Sequence, residues 1–347
     1  MPAFGLDVSA ESVKLMELQK KGKGLALKAC GEATLPKNLF VNDTISDTKT
    51  FEFILKQTLQ KPQFGRFSTN YVVASLPESK SFVRVIQIPK MSESEAANAV
   101  PFEAENFIPM PIDQVYLDWQ KIGDSGDKMN ILMIASPKEF VDNYLNILDK
   151  ADLKPVALEV ESQSCHRAAI TPQSSETVLL INISALRSSL VMVEDGNLQF
   201  TSTIPIAGNS FTESIARSLG VSSAKAEEIK RKVGIANTAE YPNIKTSFLP
   251  ILNNFSAEIK NILKFHAEHS QKQVERILLM GGGARLQNLA EFLGLQLQDS
   301  GALKVELANP WQPFGTSPAP FDIFVSLSFA TVIGLAARGA EYSVLNL

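Results

Sequence analysis

The stretch that decides the fold is Gly5-Leu6-Asp7-Val8-Ser9, an apolar run broken by one short acidic residue and closed by serine. Residues 180–184 repeat this pattern as Leu-Ile-Asn-Ile-Ser. In both places the apolar residues predict a buried strand, and the small polar residues predict a turn into a second strand. Because the two strings stand about half a chain apart, they predict two similar halves that face one another across a cleft.

The rest of the chain alternates predicted strands and helices, which indicates an α/β protein. Its 347 residues are too many for one ordinary core and suggest two or more domains. Residues 79–161 follow the order β-α-β-β-α-β and predict a compact inserted module, whereas 209–270 are mostly helical. The apolar segment 323–337 predicts a buried helix, because Ser and Thr interrupt it and it is shorter than a membrane span.

Composition places the chain among globular proteins, with 45% hydrophobic and 20% charged residues. A net charge of −4 gives no support to a nucleic-acid partner, which normally binds a basic surface. The two cysteines, Cys30 and Cys165, are too few for a disulfide framework and favour a reducing compartment. The N-terminus lacks the pattern of a signal peptide, so we expect a cytoplasmic protein without direct membrane insertion.

The turn after the first strand has the composition of a phosphate-binding loop. Its backbone amides and the hydroxyls of Ser9 and Ser12 suit the β- and γ-phosphates of a nucleotide, and Asp7 suits a hydrated Mg²⁺ ion. An ordinary hairpin turn, in which Asp and Ser are also common, is the alternative.

Three consecutive glycines, Gly281, Gly282 and Gly283, follow the predicted strand 275–280 and precede a predicted helix. Such a run costs chain entropy, which indicates that something packs closely against the backbone. A purely structural turn is one alternative interpretation. A Rossmann fingerprint is disfavoured, because Leu286 stands at its third glycine position.

Glu227 and Lys230 are spaced i, i+3 on a predicted helix and share a face, where they suit hydrogen bonding to a ribose. A solvated surface ion pair is the alternative. Other chemistries lack their motifs, since the sequence has no P-loop, no HExxH zinc site and no GxSxG nucleophile elbow. Cys165 and His166 are adjacent on a predicted helix and point apart, which argues against a catalytic thiol pair.

The order of these motifs resembles that of the actin/Hsp70/FtsA superfamily, which has a phosphate loop at the start of each half, a helix that contacts the ribose and a glycine turn against the adenine. Within that superfamily the chain is similar over essentially its whole length to the PilM family of type IV pilus assembly proteins. The likeness is carried by segments such as FGLDVSAESVKLMEL, ILLMGGGARLQNLAEFL and VIGLAARG. It implies an α/β, actin-like (ASKHA) fold of two lobes with an FtsA-type inserted 1C subdomain.

The resemblance also implies a division into four subdomains, with ATP held between the two halves. The expected boundaries are 1–78 for the first part of subdomain 1A, 79–161 for 1C, 162–175 for the return helix of 1A, 176–208 for the first part of 2A, 209–272 for 2B, and 273–347 for the second part of 2A with a closing helix to 1A.

Carried over by position, the resemblance implies a site for ATP with Mg²⁺. Asp7 would hold the Mg²⁺ ion through water, and the planar guanidinium of Arg285 would stack on the base. The implied nucleotide-binding residues are Asp7, Ser9, Ala10, Ser12, Asn182, Ser184, Ala185, Glu227, Lys230, Gly281, Gly282, Gly283 and Arg285.

Three residues depart from the family's usual motifs. Ser9 stands where Gly is usual, and Asn182 and Ser184 stand in a loop that is usually Asp-x-Gly. Serine disfavours a positive φ and narrows the space for phosphates. Asn182 cannot act as a general base or hold a metal-bound water as a carboxylate does. We therefore expect weak or no ATPase activity and assign no catalytic residue.

The resemblance implies a partner as well, the N-terminal tail of a PilN-like bitopic protein, which would recruit the chain to the inner face of the inner membrane. Phe107, Ile108, Met110 and Ile112 belong to an apolar, proline-rich segment that suits the edge of the partner's groove. A simple link between helix and strand is the alternative. The end of the chain, Ser343–Leu347, resembles the core of such a tail, which leads us to expect self-association through the same groove.

Two other functions are compatible with an actin-like fold. An actin-fold small-molecule kinase needs a carboxylate base near its substrate, and neither phosphate loop offers an obvious one. An FtsA-like division protein needs an amphipathic C-terminal membrane helix, for which residues 338–347 are too short and too uncharged.

Overall fold

The computed structural model describes residues 2–37, 39–41, 44–301, 303–315 and 322–342. Its strands are β1 (Phe4–Val8), β2 (Ser12–Lys21), β3 (Gly24–Thr34), β4 (Phe40–Val41), β5 (Thr44–Ile45), β6 (Phe64–Gly65), β7 (Tyr71–Leu76), β8 (Phe82–Pro89), β9 (Val115–Ser125), β10 (Lys128–Pro137), β11 (Lys154–Val160), β12 (Val178–Ile183), β13 (Ser188–Glu194), β14 (Asn197–Ile204), β15 (Arg276–Met280) and β16 (Lys304–Leu307). Its helices are α1 (Thr48–Gln60), α2 (Glu93–Ala104), α3 (Lys138–Lys150), α4 (Glu161–Ala169), α5 (Gly208–Leu219), α6 (Ser223–Val233), α7 (Ile244–His269), α8 (Leu289–Gln296), α9 (Ile323–Ser326) and α10 (Ala330–Tyr342).

Two mixed sheets share one topology. The first has the strand order β11-β7-β1-β2-β3-β6, and the second has the order β16-β15-β12-β13-β14-β8-β10-β9. Each contains an antiparallel meander, β1-β2-β3 or β12-β13-β14, and two parallel strands beside it, β7 and β11 or β15 and β16. The predicted internal repeat is confirmed, because the two matching strings form β1 and β12 at the centre of these repeated units.

β1 and β12 are buried along their whole length. In the first sheet, Phe4 and Leu6 face a core that they share with α1 and α3, while Gly5 between them faces α10. A strand covered on both faces is mostly apolar, and Asp7 is the one charged residue of β1.

The stretch that the sequence groups as one module, 79–161, divides between the two sheets. Strands β8, β9 and β10 extend the second sheet and form a small core of their own with α2. In contrast, β11 pairs with β7 in the first sheet, and the buried face of α3 belongs to that sheet's core. The difference arises because strand order along the chain does not show which distant strand will be the partner. By pairing, the inserted unit is 82–137; the subdomain boundaries given above remain predictions.

The apolar segment near the end of the chain forms α9, a short 3₁₀ turn and α10. By length and composition, residues 323–341 make a helix that could cross a membrane, but most of its residues are buried inside the protein. The segment packs against β1, β2 and α4. This agrees with the prediction of a buried helix.

α10 approaches its neighbours so closely that only glycine fits at the contacts. A Cβ atom on Gly334 would lie 1.9 Å from the Ser164 carbonyl oxygen of α4, and one on Gly5 would lie 2.6 Å from the Ala336 nitrogen. α4 leads from the first sheet to the second and α10 returns to the first, so two of the links between the sheets touch backbone to backbone.

A buried ion cluster joins α4, α10 and β11. The Glu159 carboxylate, at the end of β11, receives two hydrogen bonds from Arg167 of α4, at 2.6 and 2.7 Å. Arg338 of α10 also binds this carboxylate. A buried carboxylate needs such partners, because an unpaired charge away from water is costly. The two links and the first sheet are therefore joined by charge as well as by packing.

We predict that Gly334→Ala destabilises the protein by about 2 kcal/mol or more, because the added methyl group meets backbone that cannot move aside. Gly294→Ala, on α8, is the matched control, since a Cβ atom there meets nothing within 4 Å. That control should raise the free energy of unfolding by roughly 0.5–1 kcal/mol, the usual gain of alanine in a helix. Denaturant unfolding measures both, and equal effects of the two substitutions would contradict the close contact.

Candidate functional site

The two strand-turn-strand loops share one hydrogen-bond pattern. In the first, the Ser9 amide and hydroxyl both donate to the Ser12 carbonyl oxygen, at 2.9 and 3.1 Å. In the second, the Ser184 amide and hydroxyl both donate to the Arg187 carbonyl oxygen, at 3.0 and 2.7 Å. Neither serine has a positive φ. The expected conflict between serine and a left-handed backbone is therefore wrong, because the serine hydroxyl reinforces a turn that needs no glycine.

The polar groups of the first turn are used within the turn itself. The Ser9 amide closes it, and the Ser12 hydroxyl receives a hydrogen bond from Lys14 Nζ at 2.8 Å. Of the atoms that the sequence assigned to phosphate in this loop, the Ser9 amide and both hydroxyls thus already have partners. Lys14 was missed by the sequence argument, although a lysine two residues after a phosphate loop was available as a signal. Its side chain is only 11% exposed.

Asp7 is buried near the end of β1. Ser75 donates a hydrogen bond to its Oδ1 atom at 3.2 Å. Burial raises the pKa of the Asp7 carboxyl, while the Lys14 ammonium and the Ser75 hydroxyl act in the opposite direction. Oxygen donors of this kind suit Mg²⁺. Among the residues that the structure describes, no cluster of three His, Cys, Asp or Glu is placed to hold a metal.

A cleft lies between the two turns. Its lining includes Ser9 and Ala10 from the first half and Ser184, Ala185 and Arg187 from the second. The structure therefore brings together predicted residues that stand about 175 positions apart in the chain.

Two acidic residues that the sequence argument missed also line this cleft, Glu78 and Glu161. Glu78 accepts a hydrogen bond from the Ser162 amide at 3.2 Å, and its other carboxylate oxygen is buried without a partner. Burial raises the pKa of the Glu78 carboxyl. Both residues follow parallel strands beside β1, whose carboxyl ends meet at one sheet edge, and this was a usable signal. Neither residue belongs to a phosphate loop, so the cleft gains its two carboxylates from outside the loops that the sequence singled out.

The three glycines have different surroundings. Gly281 has a φ of 85°, and a Cβ atom on it would lie 2.5 Å from Asn182 Oδ1, at the end of β12. A Cβ atom on Gly283 would lie 2.2 Å from the Ile183 side chain. In contrast, a Cβ atom on Gly282 would meet no protein atom within 4 Å. The protein's own packing thus explains the first and third glycines, and Gly282 is the one that leaves open space.

Glu227 and Lys230 of α6 form a sheltered pair that also binds α5. Lys230 Nζ lies 2.6 Å from Glu227 Oε2, 2.9 Å from the Gly208 carbonyl oxygen and 2.8 Å from Thr212 Oγ1. The Lys230 side chain is only 12% exposed. The alternative of a solvated surface pair is wrong, because this pair binds the start of α5 to α6.

The start of α5 in turn attaches to the second loop. The amides of Gly208 and Asn209 donate to the carbonyl oxygens of Ser184 and Ala185, both at 2.9 Å. These two residues stand next to the predicted site and were missed, because their backbone contacts with the second loop leave no pattern in the sequence.

Arg285 is exposed at the end of the glycine turn, with its guanidinium carbon 5.6 Å from the centre of the Phe324 ring. Its flat face thus has an aromatic partner within the protein. Whether it also flanks a base remains a prediction.

The predicted partner segment is divided between core and surface. Ile108 is buried in the core of the inserted unit, and Met110 and Ile112 pack partly against that core. Phe107 is 39% exposed, and the Arg84 guanidinium carbon lies 4.6 Å from the centre of its ring. The link interpretation therefore fits Ile108, whereas Phe107 is partly exposed at the surface, and its role at a partner groove remains a prediction. The tail 343–347, predicted to occupy the same groove, lies outside the described residues.

We predict a pH dependence from the Glu227 pair. Burial raises the pKa of the Glu227 carboxyl, but the hydrogen bonds from Lys230 and Thr212 outweigh it and lower the pKa from 4.5 to about 2. A lowered pKa stabilises the fold above the unfolded value, and this contribution is lost as the pH falls toward the folded value. Glu227→Gln should therefore cost stability at about pH 7, and the cost should shrink below about pH 4.5.

Glu228→Gln is the control for this titration, since Glu228 makes an exposed ion pair with Lys225 that contributes little. Denaturant unfolding at several pH values measures both variants. A cost of Glu227→Gln that is the same at about pH 3 as at about pH 7 would contradict the lowered pKa.

Comparisons with known proteins agree with this architecture. A solved structure described as a PilM–PilN type IV pilus biogenesis complex is similar with a TM-score of 0.81 and 29% identity, over 98% of this chain and 99% of that one. MreB5 of Spiroplasma citri bound to AMPPNP is similar with a TM-score of 0.58 and 12% identity, over 99% and 98% of the two chains. The second likeness shows an actin-like fold and no more.

The cell division protein FtsA of Buchnera aphidicola subsp. Acyrthosiphon pisum (strain APS) is 23% identical over 266 residues, which cover 68% of this chain. The match spans 62% of the length of that FtsA. The family described as type IV pilus assembly protein PilM matches residues 5–340, nearly the whole chain. The chain belongs to the PilM family of type IV pilus assembly proteins.

Proposed function

We propose that the chain is a cytoplasmic ATP-binding scaffold of the type IV pilus inner-membrane assembly complex, which docks the cytoplasmic N-terminal tail of a PilN-like protein. The proposal that the chain binds ATP rests on the pair of equivalent turns that face one another across a cleft. Family membership and the similar PilM–PilN complex support the partner.

The proposed nucleotide lies with its adenine against Gly282, where the backbone leaves space. Its ribose hydroxyls lie beside the Glu227–Lys230 pair, where the Glu227 carboxylate can accept a further hydrogen bond. Its phosphates lie between the turn of Ser9 and Ala10 and the turn of Ser184 and Ala185. A bound Mg²⁺ ion would neutralise phosphate charge, and Asp7 would orient the water around it.

We infer that hydrolysis is slow. Asn182 stands at the end of β12 in the second turn's strand, and its neutral amide cannot take a proton from an attacking water. Glu78 and Glu161 line the cleft, but Glu78 is held by the Ser162 amide at the root of the inserted unit. A scaffold whose nucleotide tunes a partner interface is favoured over a kinase or an FtsA-like division protein, since membership of the PilM family favours neither alternative.

The proposed partner site includes the inserted unit. Phe107 offers an exposed aromatic face beside Arg84, and aromatic and arginine side chains are the usual anchors of protein interfaces. Because α10 is buried against β1 and α4, it does not serve as an anchor in this fold. Recruitment to the inner face of the membrane therefore follows from the partner's tail.

We predict that Gly282→Val abolishes ATP binding while the protein remains folded. The valine side chain would fill the space assigned to the adenine, and its Cβ atom meets no protein atom within 4 Å. Isothermal titration calorimetry with ATP and Mg²⁺ measures the affinity of the wild type and the variant.

Gly123→Val in β9 is the matched control, because a Cβ atom there also meets nothing within 4 Å and Gly123 does not line the cleft. The control should bind ATP as the wild type does. Equal ATP affinity in all three proteins would refute the position of the adenine.

We predict that Phe107→Ala weakens binding of a synthetic peptide with the sequence of the PilN-like tail by about tenfold, the loss typical of one aromatic anchor. Leu295→Ala, an exposed residue of α8 in the second half, should leave the affinity unchanged. Fluorescence anisotropy of the labelled peptide measures both variants. If the two substitutions have the same effect, Phe107 is not part of the groove.

A further inference from the structure

Asn209 connects the two turns that line the cleft. Its backbone amide donates to the Ala185 carbonyl oxygen of the second turn at 2.9 Å. Its side-chain Nδ2 atom donates to Glu11 Oε1 of the first turn at 2.6 Å. One residue at the start of α5 is therefore bonded at once to the loop of its own half and to the loop of the other half.

Glu11 lies beside this cleft. It directly follows Ala10, which lines the cleft, and the Ser9–Ser12 hydrogen bond fixes the turn that carries it. Burial lowers the pKa of the Lys230 ammonium, and the Glu227 and Glu11 carboxylates act in the opposite direction. The Glu11 charge thus lies near the pair proposed to hold the ribose.

A hydrogen bond between a carboxylate and an amide is stronger than one between neutral groups. The bond from Asn209 to Glu11 joins the halves at a place distinct from α4 and α10. Through the backbone bond of Asn209 to Ala185, it ties the first turn to the second beside the cleft. A bulky anion that passes between the two turns must separate groups that the bond keeps together.

We propose that the Glu11–Asn209 hydrogen bond is a strap across the cleft, and that a nucleoside polyphosphate enters and leaves only while the strap is open. This rests on the proposed nucleotide function. Glu11 and Asn209 then set the rate of nucleotide exchange, and the negative charge of Glu11 disfavours a phosphate-bearing ligand that approaches the closed form.

The test uses Asn209→Ala, which removes the strap and leaves the charge, and Glu11→Gln, which keeps an acceptor and removes the charge. The first should speed dissociation of N-methylanthraniloyl-ADP, measured by stopped-flow fluorescence, by about tenfold, as for loss of a hydrogen bond to a charged group. The second should change the rate less, because a neutral hydrogen bond persists. Asn254→Ala, an exposed position on α7, should leave the rate unchanged.

Hydrogen exchange of the ligand-free protein provides a second readout that needs no nucleotide. The Ser9 and Ser184 amides close the two turns, and Asn209→Ala should speed exchange of the peptides that contain them by about tenfold. An unfolding midpoint close to the wild-type value shows that the Asn209→Ala variant is folded. If this variant does not fold, Glu11→Ala takes its place in the experiment.

The outcomes separate the two proposals. If the wild-type protein binds no nucleotide, the proposed function is wrong. Hydrogen exchange of the two turns still tests whether the strap exists. Unchanged exchange in Asn209→Ala, with the fold intact, overturns the strap. Faster exchange without faster nucleotide dissociation overturns its role as the gate for nucleotide.

Discussion

The constraint on which the rest of the structure depends is the direct backbone contact of α10 with β1 and α4. Gly5, Gly334 and Gly339 permit it, since Cβ atoms at these positions would lie 1.9 to 2.6 Å from backbone atoms of the neighbouring element. Atoms cannot approach so closely unless the side chain is absent. This contact holds α10 against the first strand and against α4, so the two halves are joined by closely packed links rather than by one flexible linker.

The cleft follows from that arrangement. Because β1 and β12 occupy equivalent positions at the centres of the repeated units, the turns that follow them face one another. The same type of serine hydrogen bond closes both turns and restricts the motion of their backbones. The outer edges of the turns face the cleft. Gly281 and Gly283 bring the end of β15 close against β12, and Gly282 keeps a neighbouring surface clear. A cleft with firm edges and small residues suits a phosphate-bearing ligand.

Much of the fold could be predicted, because its decisive features are local in the sequence. The strings that form β1 and β12 are mostly apolar over the length of a strand, and the glycine run shows where another group packs closely against the backbone. The pairing of β11 with β7 was not accessible, since it depends on partners more than 70 residues apart. For the same reason, the sequence of residues 79–161 did not show that this predicted module divides between two sheets.

The site was predicted in outline and not in its contacts. The sequence shows the residue types and the spacing of Asp7, of the two turns and of the Glu227–Lys230 pair. Glu78, Glu161 and Asn209 were missed, because each takes its place only when strands or helices from separate parts of the chain meet. The serine departures at positions 9 and 184 were judged by steric rules for glycine, whereas the turns use the hydroxyl as a hydrogen-bond donor.

The most direct measurement of the central claim is a crystal structure of the protein grown with ADP and Mg²⁺. The account predicts density for an adenine against Gly282, a ribose within hydrogen-bond distance of Glu227 and Lys230, and phosphates between the turns that begin at Ser9 and Ser184. A nucleotide bound elsewhere on the molecule, or a cleft that stays empty at saturating ADP, would contradict it.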